Sequence, residues 1–352
     1  MGSTIVGSGT AVPDHLVTND DLARIMDTTD EWIVKRTGVR QRYCSAPGEG
    51  ASDLAIRAGQ AALADANVAP DEIDLLVTAT MTPDEFVPGI APTVQTGLGI
   101  GLVGAYDIRQ QCSGFLYGLD VADAALTTGR AKNVLIVGAE SHMGYMPFGS
   151  SWELLRGQRT GEPDAEAYAQ ATESRGWSVL FGDAAGAVVM QHRPEAPGVL
   201  ASVLNTDGTL ADLIRVQAAG FKHQPWLDIA QITAGMHLPT FNGLELFRQA
   251  ARRMPEAVRA VANKAGVPVE DIDLVVAHQA NERILDAVRK EMKVDTHVLP
   301  SNIDRYGNTT SATLPLMFDE LRRAGRVNPG SLVCFTAFGA GAHWGALLYR
   351  EP

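Results

Sequence analysis

A ten-residue segment of this chain occurs twice, 199 positions apart, and that repetition restricts the folds open to it more than any other feature. The first copy is Val68-Ala69-Pro70-Asp71-Glu72-Ile73-Asp74-Leu75-Leu76-Val77, and the second is Val267-Pro268-Val269-Glu270-Asp271-Ile272-Asp273-Leu274-Val275-Val276. Each follows an alanine-rich amphipathic stretch and ends in an apolar run of the kind a strand buried on both faces requires. A second echo pairs Gly129-Arg130 and Asn133 to Ala139 with Gly325-Arg326 and Ser331 to Ala340. Two echoes in the same order indicate duplicated halves, and the period is far longer than a solenoid unit of roughly 20–50 residues. The expected architecture is α/β, with halves over 1–195 and 196–352 packed about a pseudo-dyad.

In such a pair, helix starts and strand ends from both halves meet near the dyad. Cys112 lies in Asp107-Ile108-Arg109-Gln110-Gln111-Cys112-Ser113-Gly114-Phe115, a glycine-flanked turn opening into an apolar run to Leu126. That places the thiol at a helix N-terminus, where backbone N–H groups and the helix dipole favour a thiolate. A lone cysteine in apolar company is more often a small core residue. Its company argues otherwise. His278 follows the apolar run 272–276, and Asn308 precedes the helical run 311–323, so both sit where element ends build sites. A thiol, an imidazole and a carboxamide are the parts of a carbon–carbon condensing or acyl-transfer site.

Composition removes other classes. The net charge of −12 argues against a nucleic-acid binder, and the longest apolar runs fall far short of a membrane span. The start, Met1-Gly2-Ser3-Thr4-Ile5-Val6, lacks the pattern of a secretory signal and reads as a first buried strand. Cys44, Cys112 and Cys334 are odd in number and widely spaced, which disfavours disulfides and a metal cluster and suits a reducing cytoplasm. Gly7-Ser8-Gly9 is a poor dinucleotide fingerprint, because Pro13 interrupts the helix that would bind phosphate. Residues 144–176 depart from the α/β rhythm and read as a surface excursion, or as a lid or dimer arm beside the substrate entrance.

Taken together, five ordered motifs make the chain similar to the β-ketoacyl-acyl carrier protein synthase III family of thiolase-fold condensing enzymes. They are Thr28 to Arg40, Phe181 to Ala187, His278-Gln279-Ala280-Asn281, Gly307-Asn308-Thr309-Thr310-Ser311, and Phe338 to Gly345. The resemblance implies a five-layered αβαβα thiolase-like fold and a homodimer. It assigns Thr28, Trp32 and Arg36 to coenzyme A, and Cys112, His278 and Asn308 to catalysis. The backbone amides of Cys112 and Ala340 become the oxyanion hole, with Gly339-Ala340-Gly341 as its turn. Arg248, Arg283 and Lys290 become carrier-protein docking residues, with Lys293, Arg252 and Arg253 on the same two basic helices. No permanently bound cofactor is implied; coenzyme A thioesters are substrates. The implied reaction is acylation of Cys112 by acyl-CoA, then decarboxylative condensation with a malonyl thioester, the natural partner being malonyl-acyl carrier protein, for fatty-acid initiation or a specialised pathway.

Three alternatives stay open beside it. One is acyl transfer to an alcohol or amine on the same fold. Another is condensation of two acyl-CoAs without decarboxylation, which in relatives uses a glutamate near the place of Val87-Pro88, close to Glu85. The third is a degenerate partner subunit, disfavoured by the intact trio. Thiolase chemistry is disfavoured because Ala337 stands where a second cysteine is needed. Arg109-Gln110-Gln111 replaces the small residues usual before the nucleophile and either narrows the acyl pocket or recognises a polar substrate. His343 reads as an outward-facing structural residue. Chain length is expected to depend on Leu116, Val87, Leu210 and the 144–176 excursion.

Overall fold

The computed structural model describes residues 2–352, with thirteen strands in two main sheets and two small ribbons. In chain order the strands are β1 (Gly2–Ala11), β2 (His15–Thr18), β3 (Gln41–Cys44), β4 (Leu75–Ala79), β5 (Gly104–Ile108), β6 (Asn133–Glu140) and β7 (Ala184–Arg193). There follow β8 (Gly198–Thr206), β9 (Ile214–Arg215), β10 (Thr240–Phe241), β11 (Leu274–Ala277), β12 (Leu332–Gly339) and β13 (His343–Arg350). The first sheet has the order β1-β7-β6-β4-β5, and the second β11-β12-β13-β8. In each, the parallel pair (β4 with β6, β11 with β12) carries the apolar runs read from the sequence, buried throughout except at Asn133.

Five layers result. Helix Ala51–Ala66 covers the outer face of the first sheet with an alanine stripe of Ala55, Ala58 and Ala62, packed on Leu76, Leu135 and Val189. Helices Gly243–Ala265 and Glu282–Met292 cover the outer face of the second. Between the sheets lie helices Gly114–Thr127 and Thr313–Arg323, whose Phe115, Leu119, Leu314 and Phe318 share one core with Val77 and Ile136 of one sheet and Val276 and Phe335 of the other. This is the thiolase-like αβαβα arrangement.

The duplication persists in detail at the same spacing of 199. β4 and β11 begin at Leu75 and Leu274, β6 and β12 at Asn133 and Leu332, and the central helices at Gly114 and Thr313. Asp74 accepts from the amide of Asn133 at 2.9 Å, and Asp273 from that of Leu332 at 2.8 Å, so each half locks its parallel pair with the same carboxylate. Before each central helix stands a short 3-10 turn entered through a left-handed residue, Gln111 (φ 51°) in one half and Thr310 (φ 46°) in the other.

Residues 144–176 correct the surface-excursion reading. They form helices Ser151–Leu155 and Ala165–Ser178 and supply Met146, Phe148, Leu154, Leu155 and Ala171 to a separate apolar core shared with Ile25 and Ile33. These side chains are buried against neighbouring elements and not left on the surface.

Candidate active site

Cys112 occupies the turn Gln111–Ser113, directly before helix Gly114–Thr127. The opposing glycine turn closes onto it. A Cβ at Gly339 would stand 3.0 Å from the Ser113 nitrogen and 3.1 Å from that of Cys112, so a side chain there would push the end of β12 a few tenths of an ångström from the thiol's turn. Ser113 Oγ donates to the His343 carbonyl at 2.9 Å and ties the two turns together.

Electrostatics modify the expectation of a ready thiolate. The amides of Cys112 and Ala340 point at the sulfur and favour the anion, but burial and the nearby Glu140 carboxylate outweigh them and push the thiol up to about 12. Cys112 is half-buried as a residue and lines the cavity, whereas Cys44 and Cys334 are buried. The resting thiol is therefore protonated at neutral pH. Alkylation of Cys112 by iodoacetamide is expected to accelerate about tenfold per pH unit from 7 to 10, followed by peptide mass spectrometry. A plateau near neutrality would contradict this.

His278 follows β11 and donates its main-chain N–H to the Thr336 carbonyl at 2.9 Å. Its ring is buried with neither nitrogen hydrogen-bonded, and burial lowers it to about 3. It is consequently a neutral imidazole throughout the physiological range, able to donate a hydrogen bond but a weak standing base. Asn308 reaches the same place by a different route. Its backbone bridges to Phe181, with its N–H donating to the Leu180 carbonyl at 2.7 Å and its own carbonyl accepting from Gly182 at 3.2 Å. Its Oδ1 accepts from the Thr310 amide at 2.9 Å, which leaves Nδ2 as the free donor.

Cys112, His278, Asn308 and Ala340 all line one cavity of about 1430 Å³. Glu140, at the end of β6, underpins it. The buried carboxylate accepts from Ser311 Oγ (2.6 Å), Thr82 Oγ1 (2.7 Å) and the Met81 amide (3.1 Å), and so fastens the Ser311 turn of one half to the first sheet. The sequence reading missed it, although a carboxylate ending an apolar strand is a visible signal.

The remaining assigned residues separate into an outer set. Trp32 and Arg36 lie one turn apart on helix Asp30–Thr37, with the guanidinium 4.2 Å from the indole centroid. Arg175, also missed, approaches the same indole at 5.1 Å, so two cations flank one half-buried aromatic. Its sequence neighbours Gly176 and Trp177 line the cavity that holds the thiol, whereas Trp32, Arg36 and Arg175 lie outside it. Thr28 is buried, its hydroxyl without a partner. Asn281 Nδ2 donates to the Arg36 carbonyl at 3.0 Å, and Gly38 (φ 81°) lets the chain pass Glu282, whose Cβ would be 2.5 Å from an added one. The Trp32 helix and the helix after the histidine motif are thereby fixed to each other.

Of the basic residues, Arg283 lines the cavity mouth, while Arg248 stands outside it in a shallow cleft with Arg252 and Arg259. Lys290 is exposed on the adjoining helix. Arg253 turns inward onto the Trp344 ring at 4.8 Å and does not present an outward charge. His343 is not outward-facing either: it lines the cavity, with Nδ1 2.9 Å from Thr206 Oγ1 and its ring against the edge of Tyr117. The proposed chain-length positions also shift. Leu116 is in the central core because its helix is sandwiched between sheets, and Leu210 packs on the second outer core. Val87 is exposed beside Phe86, which does line the cavity, together with Met81, Ser141, His142 and Phe181.

Two duplicated α/β halves in five layers, with a cysteine before one central helix and a histidine and asparagine brought to it from the other half, define a thiolase-fold condensing enzyme. Comparison with known proteins gives the family. The model for 3-oxoacyl-[acyl-carrier-protein] synthase III matches residues 106–148 and 165–208, and that for its C-terminal part matches 262–351. The β-ketoacyl-[acyl-carrier-protein] synthase III of Erythrobacter litoralis is 42% identical over 99% of both chains. The crystal structure of the Aquifex aeolicus 3-oxoacyl-[acyl-carrier-protein] synthase III superposes with a TM-score of 0.83 at 36% identity, covering 99% of this chain and 100% of that one. The priming β-ketosynthase of a polyketide biosynthetic pathway gives 0.82 at 31%, covering 100% of this chain and 97% of that one. The chain belongs to the β-ketoacyl-acyl carrier protein synthase III family.

Proposed function

We propose that the protein primes chain synthesis by condensing an acyl group from coenzyme A with a malonyl group on acyl carrier protein. The observation that carries this reading is a neutral imidazole and a carboxamide N–H facing the same cavity as a thiol. In the first step Cys112 sulfur bonds to the thioester carbonyl carbon, its proton passes to the departing coenzyme A thiolate, and the amides of Cys112 and Ala340 hold the oxyanion. In the second, the malonyl thioester loses CO₂. The electron pair of the broken C–C bond becomes an enolate, whose oxygen accepts from His278 and Asn308 Nδ2. The enolate carbon attacks the acyl-enzyme, releasing the 3-oxoacyl thioester, and the Cys112 thiolate takes up a proton. Decarboxylation supplies the carbanion, so the site needs donors rather than a strong base.

In this reading coenzyme A thioesters serve as substrates. Trp32, flanked by Arg36 and Arg175, is the platform for the nucleotide. Trp32→Ala is expected to raise KM for acyl-CoA roughly tenfold, the value of one base–aromatic stack, and to affect a short thioester lacking the nucleotide much less. Arg283, Arg248 and Lys290 provide the basic approach for an acidic carrier protein, in a chain whose net charge is −12.

The working unit in this reading is a cytoplasmic homodimer. β5 is the open edge of the first sheet and is exposed, with Tyr106 on it and the fully exposed Leu102 just before it. A second copy pairing there would cover an edge that single chains rarely leave bare. Light scattering reads the state directly. No helix among the described residues is long and apolar enough to cross a membrane.

Glu85 also lines the cavity, and is the group that condensation of two acyl-CoAs without decarboxylation would use as base. Product formation from acyl-CoA with malonyl-acyl carrier protein, against acyl-CoA alone, separates the two. The proposal requires product and CO₂ only when the malonyl thioester is present.

A further inference from the structure

The wall of the cavity that contains Cys112 holds a second buried histidine, which the chemistry above leaves unused. His142 follows β6 by two residues, is 2% exposed, and lines the cavity. Neither ring nitrogen has a hydrogen-bond partner. The ring is held flat against Phe181, with centroids 4.7 Å apart and planes 5° from parallel. Its Nδ1 stands 3.8 Å from Glu140 Oε2, beyond hydrogen-bond range. Glu140 is engaged elsewhere, by Ser311, Thr82 and Met81.

A buried imidazole without partners is costly, and a leucine would fill similar space against Phe181 without that cost. Most buried polar groups in folded proteins find a partner, so an unpartnered imidazole that lines a substrate cavity calls for one. The same wall carries Ser141, and Gln111 and Arg109 from the polar run before the nucleophile.

We infer that the acyl group taken up by Cys112 carries an uncharged oxygen function, a hydroxyl or oxo group, which hydrogen-bonds to His142. This rests on the reading that Cys112 is acylated by a coenzyme A thioester. A neutral imidazole offers one N–H donor and one nitrogen acceptor, the complement of a hydroxyl, and its donor alone serves an oxo group. Charge decides against an acyl carboxylate, which would lie beside the buried Glu140 carboxylate. Arg109 is exposed at the cavity rim, outside the stacked pair, and does not offset that repulsion.

The test compares acyl-CoAs matched in length, unsubstituted or carrying a hydroxyl or oxo group at successive positions, with wild type, His142→Leu and His142→Gln. Intact-protein mass spectrometry follows Cys112 acylation, and the quantity read is the rate ratio of oxygenated to unsubstituted chain within each protein, which does not depend on the active fraction. In wild type at least one oxygenated chain should be favoured roughly tenfold, the discrimination of one well-placed buried hydrogen bond. His142→Leu should reverse the preference and His142→Gln retain part of it. A wild-type preference for the unsubstituted chain at every position would overturn the inference, as would a ratio that His142→Leu leaves unaltered. Those outcomes leave the acylation reading standing. Failure of every thioester to label Cys112 would overturn both.

Discussion

Replacing His278 or Asn308 by alanine should slow condensation about 10²–10³-fold, the usual cost of losing one donor to a developing oxyanion. Acylation of Cys112 should survive, because in the proposed reaction the amides of Cys112 and Ala340 serve that step. The split is the informative part. Single-turnover mass spectrometry reads adduct formation, and release of labelled CO₂ reads the second step. The structure gives a reason to expect a folded His278 variant. Neither ring nitrogen of His278 is hydrogen-bonded, so the ring contributes packing but no polar network to stability. The double variant should lose less than the product of the two single effects, since both residues act on one oxygen. A loss confined to acylation would contradict the assignment of these residues to the enolate.

Cys112→Ala should abolish the acyl adduct and lower turnover by at least about 10⁴-fold, as removal of a nucleophile does elsewhere. Its fold should persist, with stability within about 1 kcal/mol of wild type, because the change removes a single sulfur atom that joins no side-chain network. Labelling should be unambiguous, since Cys44 and Cys334 are buried. Gly339→Ala offers a control on geometry. It retains the thiol but inserts a methyl group 3.0–3.1 Å from the Cys112 turn, displacing nucleophile and oxyanion amides relative to each other.

The parts of this molecule legible in its sequence were those that rest on period and position. The apolar runs ending at Val77 and Val276 announced strands buried on both faces, and their spacing gave the duplication that puts Gln111 and Thr310 in equivalent turns. Cys112, His278 and Asn308 could be placed because each ends or begins an element. Residues whose meaning depends on facing direction were not legible. Leu116 follows Cys112 by one helical turn, yet the central helix buries it in the core. His142 and Arg175 lie in segments without a clear period, and only the fold stacks one on Phe181 and the other over Trp32. The polarity of Cys112 was likewise hidden: a helix start suggested a thiolate, whereas desolvation and Glu140, brought in by β6, dominate.

The most direct test of the account is a chase of the pre-formed acyl-enzyme. Wild-type protein is acylated with acyl-CoA, freed of excess donor, and mixed with malonyl-acyl carrier protein while the intact mass, CO₂ and thioester products are followed. The account predicts that the adduct on Cys112 disappears as one equivalent each of CO₂ and of 3-oxoacyl-acyl carrier protein appears. An adduct that persists with malonyl-acyl carrier protein but passes to an alcohol or amine would contradict it.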